Sequence, residues 1–356
     1  MSKPLFKFPS IGQFRNTVYD VNYHSSDRVI RFERTVKIHG SNASIVIPLW
    51  DDREIYAQSR NNIITPERDN AGFARWVEDN RVVLTYQLGK HVADILGNWD
   101  NETHIVVYGE WCGQGIQKNV AVNQLPKMFV VFGYRVVYEN DLEHPRTYSG
   151  SVSRYEDEPL DFSNHDIGLY NIHEFGSEII TIDFDNLTEM QEKLEADAEE
   201  VGRQCPVGTY FAVEGPGEGH VYTALSQPFK FKMKSEAHKV SKKATFTPEA
   251  LTQINSISEL VNNILLEPRL EQGIEYLKEM HIADDKFESI GEYISWVITD
   301  VIKEESDIIL ESGLPVKLVN KEIAKRARDY FSNHVNNIAF ENSKSKLSYT
   351  ESDNLF

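Results

Sequence analysis

The chain has 356 residues and a formal charge of −18, from 37 basic and 55 acidic side chains. That balance excludes a protein that coats nucleic acid through long-range attraction, although a local basic groove stays open. Two cysteines, Cys112 and Cys205, make neither a disulfide framework nor a metal knuckle, so a reducing, cytoplasmic setting is expected.

The length suits two domains. No apolar run reaches the length of a bilayer span, and the opening "MSKPLFKFPSIG" lacks the apolar stretch of a signal peptide. From about residue 28 to 138 the pattern is that of strands. "RVIRFERTVKI", "ASIVIPLW", "REIYAQS", "THIVVYGEW" and "KMFVVFGYRVVY" are short, rich in Val, Ile, Tyr and Phe, and parted by Gly, Asn and Asp. One helix is expected among them, within "PERDNAGFARWVEDNRVVLTYQLGKHVADIL", opening at Pro66 with an acidic first turn. Residues 139–180 read as polar and irregular. "DFDNLTEMQEKLEADAEEVGR" then reads as a helix with Leu187, Met190 and Leu194 on one face. "TYFAVEGPGEGHVYTAL" and "PFKFKMK" return to strand.

After Lys243 the character turns helical. Thr247 is the expected N-cap and Pro248 the first helical residue, with Leu251, Ile254, Ile257, Val261 and Ile264 at helical spacing. Helices are expected to about residue 340, broken at Gly313 and Pro315, and the tail "ENSKSKLSYTESDNLF" is expected to be loose. These changes predict a larger α+β domain over 1–240 and a smaller all-helical domain over 241–356.

Several polar residues fall at the ends of apolar strands. Lys37 is followed by Ile38-His39-Gly40-Ser41-Asn42. Arg60, in "QSRNN", offers the forked donors that suit a phosphate. Glu110, between Gly109 and Trp111, is a half-buried carboxylate that needs a ribose hydroxyl, a cation or a lysine as partner. Phe132 is either a core ring or a flat platform for a base. Glu218 precedes Gly219-His220-Val221, and its hard oxygens suit Mg²⁺. Lys232 and Lys234 alternate with Phe231 and Met233, which puts both amines on one face. Each of these alone fits an ordinary core or solvated residue; their shared order along the chain does not.

The ordered set resembles the covalent nucleotidyltransferases, which include polynucleotide ligases and messenger-RNA capping enzymes. DNA ligases and capping enzymes usually read K-x-D-G at the nucleophile. The form Lys37-Ile38-His39-Gly40-Ser41-Asn42, with "GQGIQKNV" further on, is similar to the bacteriophage RNA ligase 2 family and its RNA-editing relatives. The motifs span about 30 to 240.

The resemblance implies an adenylyltransferase domain of ATP-grasp-like, antiparallel sheets, then a smaller helical one. It implies an ATP-dependent RNA ligase that seals 5′-phosphate and 3′-hydroxyl ends through lysyl-AMP and RNA-adenylate. Lys37 would be the nucleophile and Ile38 part of the nucleotide site. Asn42 would meet the RNA end or its phosphate, and Arg60 the phosphate and ribose. Glu110 would bind a ribose hydroxyl, Phe132 would stack on adenine, and Lys232 and Lys234 would grip the α-phosphate. Glu218, with Glu110, would bind the metal. Lys230-Phe231-Lys232 is a rival register for the lysine pair; Ser235 after Lys234 favours the later one. The implied cofactors are ATP, with AMP carried on Lys37, and Mg²⁺, with Mn²⁺ as a substitute.

For Lys37 to attack, its pKa must fall, and burial together with Mg²⁺, Lys232 and Lys234 is expected to lower it. The implied partner is the RNA end of a nicked or broken duplex, met by a monomer that binds no membrane. The family likeness suggests a phage source, hence an infected host cell. Lys239, Lys242 and Lys243 are expected to lead duplex RNA toward the helical part. Two positions depart from the family pattern: Gly133, where Asp is usual, and Thr223, where Lys is usual. A DNA ligase, a capping-type guanylyltransferase and a non-catalytic RNA-binding relative are the alternatives.

Overall fold

The computed structural model describes residues 3–48, 55–88, 90–91, 102–138, 162–241 and 256–352. The chain separates into two compact units, Met1–Ala237 and His238–Phe356.

The first unit is α+β. Its strands in chain order are β1 (Gly12–Gln13), β2 (Val29–Lys37), β3 (Ser41–Pro48), β4 (Tyr56–Ser59), β5 (Ile63–Ile64), β6 (Glu102–Cys112), β7 (Met128–Tyr138), β8 (Leu169–Asn171), β9 (Ser177–Asp183), β10 (Gly219–Ala224) and β11 (Lys230–Lys234). They form two sheets, ordered β1-β11-β10-β2-β9 and β5-β4-β3-β6-β7-β8. Pairing is antiparallel except at β1–β11 and β7–β8.

Alternation along each strand separates a core face from a polar face. In the first sheet Phe32, Tyr222, Phe231 and Met233 pack with Leu194 and Ala198 of the helix Leu187–Arg203, and with Phe14 and Val21 of the helix Phe14–His24. The lysines of β11 therefore lie on the opposite face. In the second sheet Ile45, Ala57, Val107 and Phe129 pack against Phe73, Ala74 and Val77 of the helix Phe73–Asp79. Its other face is covered by the N-terminal segment, where Phe6 and Phe8 join Val46, Tyr56, Val106 and Tyr108. Gln58 fixes that segment: its amide accepts from the Phe6 N–H at 3.1 Å and donates to the Phe6 carbonyl at 2.5 Å.

Three expectations change. The helix expected from Pro66 begins at Phe73, because Thr65 and Arg68 pair across a turn. The cap is Asp69, whose carboxylate accepts from the N–H groups of Ala74 at 2.7 Å and Arg75 at 2.9 Å. The stretch read as irregular up to residue 180 holds β8 and the start of β9; β9 is an edge strand that buries only Ile180 and Ile182. Residues 341–352 of the tail read as loose continue the helix Val316–Ser352, since neither Gly nor Pro follows Pro315 to stop it, and residues 353–356 lie outside the described residues.

The second unit is helical. Its helices are Ile257–Ile264, Glu267–Glu279, Ile290–Glu311 and Val316–Ser352, around a core that includes Val261, Leu277, Val297, Val301, Ile323 and Phe331. Ser256 caps the first helix by accepting from the Glu259 N–H at 3.1 Å. Thr247, Pro248, Leu251 and Ile254 lie outside the described residues. Arg269 is fully buried, with its guanidinium 2.8 Å from the equally buried Glu305, where the backbone leaves helical geometry. No helix among the described residues is long and apolar enough to cross a membrane.

Candidate active site

The pairing registers of β2, β10 and β11 align three strand positions. Gly219 lies opposite Lys37 on one side and Lys234 on the other. Glu218 stands one residue before that row, so its carboxylate reaches both amines. Lys37 Nζ is 2.8 Å from Glu218 Oε2, and Lys234 Nζ is 2.7 Å from Glu218 Oε1. The alignment depends on Gly219. Its φ is +148°, and a Cβ there would stand 2.1 Å from the Met233 carbonyl oxygen.

The chain passes from the first sheet to the second directly after Lys37, and the turn is held against β6. The Gly40 N–H donates to Glu110 Oε1 at 3.0 Å. A Cβ on Gly40 would meet the Trp111 carbonyl oxygen at 2.5 Å and Glu110 Cγ at 2.9 Å. Gly40 is thus required by close approach to β6, which brings Glu110 toward the end of β2. Asn42 lies opposite Glu110 in the β3–β6 register and is half-buried.

The remaining predicted residues fall around this group. Arg60, exposed just beyond β4, donates to Ser10 Oγ at 2.9 Å, and its charge acts on Lys37. Phe132 is the extra residue of a bulge in β7: Tyr108 pairs with Gly133 and Gly109 with Val131. A bulge re-aims a side chain, and the half-buried Phe132 ring meets the Phe8 ring edge-on at 5.0 Å. Lys232 lies on the same face as Lys234, opposite Val221 and Gln13. Ile38 differs from the rest. Its side chain is buried with Val36, Cys112 and Val120 in the core.

The rival lysine, Lys230, lies over the Phe8 ring at 5.7 Å and feels the charge of Glu33. Lys234, not Lys230, shares a carboxylate with Lys37.

The electrostatics follow from burial and from these short distances. Glu218 resists protonation: burial raises its pKa, but Lys234, Lys37 and His39 hold it well below the ordinary carboxylate range. Burial pushes Glu110 up to about 7, eased by Lys37 and reinforced by Glu218. The Lys37 amine departs from expectation. Burial lowers its pKa, yet Glu218 and Glu110 together outweigh burial and hold it above the ordinary lysine value.

Two contributors carry no predicted role. His39 Nδ1 is 3.3 Å from Glu218 Oε2, and Gln117 Nε2 donates to the Gly40 carbonyl at 3.2 Å. Both sit inside quoted motifs, but no spacing rule assigns a contact to them. Among the described residues no group of three or more His, Cys, Asp or Glu gathers at metal-binding distance.

An amine, the buried carboxylate of Glu218, the half-buried one of Glu110 and a second amine are thus brought together near strand ends. The profile described as RNA ligase matches residues 30–234, more than half of the chain. The chain belongs to the RNA ligase family. It is also similar to solved structures of Naegleria gruberi RNA ligase. A mutant with ATP and Mn matches at 18% identity over 66% of this chain and 58% of that one, with a TM-score of 0.39. The form with PPi matches at 19% identity over 67% of this chain and 60% of that one, with a TM-score of 0.38. The chain spans less than two thirds of the length of these structures. No curated protein matches the chain. The family assignment rests on the profile match.

Proposed function

We propose that the chain is an ATP-dependent RNA ligase of the bacteriophage RNA ligase 2 type, with Lys37 as its nucleophile. One observation carries the reading. A single buried carboxylate, Glu218, bridges Lys37 and Lys234 at aligned strand ends, so that a reactive amine and an anion-binding amine stand side by side.

In the first step the neutral Lys37 amine attacks the α-phosphorus of ATP. A P–N bond forms, the P–O bond to pyrophosphate breaks, and the amine proton is lost. Lys232 and Lys234 meet the charge that gathers on the α-phosphate without rearranging. Turning Glu218 away from Lys37 shifts the amine toward its neutral form, since burial and Arg60 then act against the attraction of Glu110 alone. Phe132 stacks on adenine, Glu110 accepts from a ribose hydroxyl, and Asn42 meets the RNA end. AMP then passes to the RNA 5′-phosphate, and the 3′-hydroxyl attacks and displaces it.

Glu110 and Glu218 also fit a divalent cation. Two hard, mutually repelling carboxylates leave the other ligand positions to phosphate oxygens and water, the usual manner of Mg²⁺. Such an ion would neutralise charge on the phosphates. The fold supports this reading over a non-catalytic relative, because a simple RNA-binding surface has no need of a half-buried amine held by a buried carboxylate.

The test is the intact mass of the protein after incubation with ATP and Mg²⁺, beside Lys37→Ala. A gain of one AMP that the variant lacks is expected, followed by sealing of nicked duplex RNA. No adduct with ATP, after pyrophosphate treatment to strip preloaded AMP, would reject the reading.

A further inference from the structure

Residues 4–13 run along β4 and the turn after it, then cross to the first sheet. The Pro4 carbonyl accepts from the Tyr56 hydroxyl at 2.7 Å. Phe6 exchanges two hydrogen bonds with the buried amide of Gln58. Lys7 Nζ donates to Asn61 Oδ1 at 3.3 Å, and Arg60 Nη2 donates to Ser10 Oγ at 2.9 Å. Gly12 and Gln13 then pair in parallel with Phe231 and Lys232. One short segment is therefore fastened to the second sheet at one end and to the first sheet at the other. From Ser10 to Gln13 the chain can span at most about 11 Å. The hydroxyl that meets Arg60 and the backbone beside Lys232 thus belong to one stiff stretch.

Arg60 depends on that stretch. Its side chain is exposed, and a long exposed side chain loses much rotamer freedom when a ligand fixes it. Among the described residues it has no carboxylate at ion-pair distance, and Ser10 is its one hydrogen-bond partner. An exposed hydroxyl orients a guanidinium only if the hydroxyl is itself held. Ser10 is held on both sides. Two residues before it, the buried Phe8 ring lies 5.2 Å from Tyr108 and 5.0 Å from Phe132. Two residues after it, Gly12 is locked in strand pairing. A guanidinium carries more donors than one hydroxyl can use, so the other N–H groups of Arg60 stay open to a ligand. The same guanidinium is near enough to Lys37 for its charge to act on the amine.

We propose that Ser10 is a positioning residue: its hydroxyl holds the Arg60 guanidinium in place before the nucleotide arrives, and residues 4–13 act as a clasp that keeps Arg60 in register with Lys232. The inference rests on the reading proposed above, in which Lys37 attacks a nucleotide phosphate with Arg60 and Lys232 beside it. A donor already oriented when the ligand binds costs no reorganisation at that moment. Arg60 comes from the second sheet and Lys232 from the first, so a fixed distance between them requires a link across the two sheets. Ser10 touches neither the nucleotide nor Lys37 and acts through Arg60.

The test is a double-mutant cycle on Ser10→Ala and Arg60→Met, with Ser10→Thr and Ser10→Val beside it. Equilibrium binding of ATP and the single-turnover rate of adduct formation are measured on each, and thermal melting confirms that each is folded. Ser10→Ala should lower the adduct rate at limiting ATP by about three- to tenfold, the size expected for one net hydrogen bond. In the Arg60→Met background the same change should have no further effect. Thr and Val have the same shape, so Ser10→Thr should keep most of the rate while Ser10→Val behaves as Ser10→Ala. That pair also serves if Ser10→Ala does not fold. An effect of Ser10→Ala that persists without Arg60, a Thr variant no better than Val, or no effect at all overturns the proposal and leaves the ligase reading standing. No adduct in the wild type rejects the ligase chemistry, and the Ser10–Arg60 coupling is then read in ATP affinity alone. Failure of the wild type to bind ATP rejects both.

Discussion

Lys37 ends a strand so that its amine is fixed, and Glu218 decides its protonation. Removing that carboxylate should lower the Lys37 pKa, because the largest attraction on the ammonium disappears while burial stays. In Glu218→Gln, acylation of Lys37 measured against pH should therefore begin at lower pH than in the wild type, even as adduct formation with ATP falls. Acylation at an unchanged or higher pH would contradict the electrostatic account. Glu110 gives a second residue-scale expectation. Its pKa rises from 4.5 to about 7 on folding, so the folded state binds its proton more tightly than the unfolded state. That contribution to stability is fully present below the unfolded pKa and is lost as pH rises through about 7. Glu110→Gln should gain stability over the wild type at pH 8, by up to about 3 kcal/mol, and show little difference at low pH. Urea melts at the two pH values check this. The residue types at this site were legible in the sequence. The sign of the Lys37 shift was not, because it depends on how near two carboxylates come from distant strands.

At the scale of elements, alternation in "KFKMK" was sufficient to place its lysines on one face, and the strands around Lys37 and Glu110 read directly from their β-branched runs. Register was not readable. The site exists because Gly219 sits between Lys37 and Lys234, and that alignment is set by strand pairing across 181 residues between Lys37 and Glu218. Gly219→Ala should cost about 2–4 kcal/mol from backbone strain and the clash with Met233, and it should slow adduct formation by pulling Glu218 out of line. Gly115→Ala is the control. Its φ is also positive, +81°, but no atom lies within 4 Å of the added Cβ. The cost there should stay at about 1–2 kcal/mol, with adduct formation retained. Thermal melts and single-turnover rates on both variants make the comparison. The missed start at Phe73 has a similar cause: Asp69 caps that helix from four residues upstream, while Pro66, a strong helix-start signal by type, sits in a turn.

For the whole molecule, the two units raise separate questions. In the helical unit, Arg269 and Glu305 form a buried pair, and Asp300 and Glu304 stand 3.7 and 3.8 Å from the guanidinium. Breaking such a pair strands a buried charge. Arg269→Met should destabilise that unit by about 3–5 kcal/mol, and the double change with Glu305→Leu should recover most of the loss; melts of the full chain would show it. The basic run after Lys234 raises the question of RNA. Lys239→Glu combined with Lys242→Glu and Lys243→Glu should weaken binding to nicked duplex RNA and leave adduct formation largely intact. Equal loss of both would reject a role in RNA docking. Lys242 and Lys243 lie outside the described residues, so this expectation rests on charge alone.

The sequence by itself determined the class of fold and the chemical types at the site. Periodicity records which face each element buries, and the ordered motifs record a lysine, two glutamates, an aromatic ring and paired lysines. Tertiary structure decided what those groups do to one another. It put Glu218 between two amines, tied Glu110 to the Gly40 N–H, and turned Lys230 toward Phe8 and Glu33. The physical reason is that burial and hydrogen-bonding pattern are local in sequence, whereas charge interactions depend on distances of a few ångström, and only strand register and close backbone approach set those.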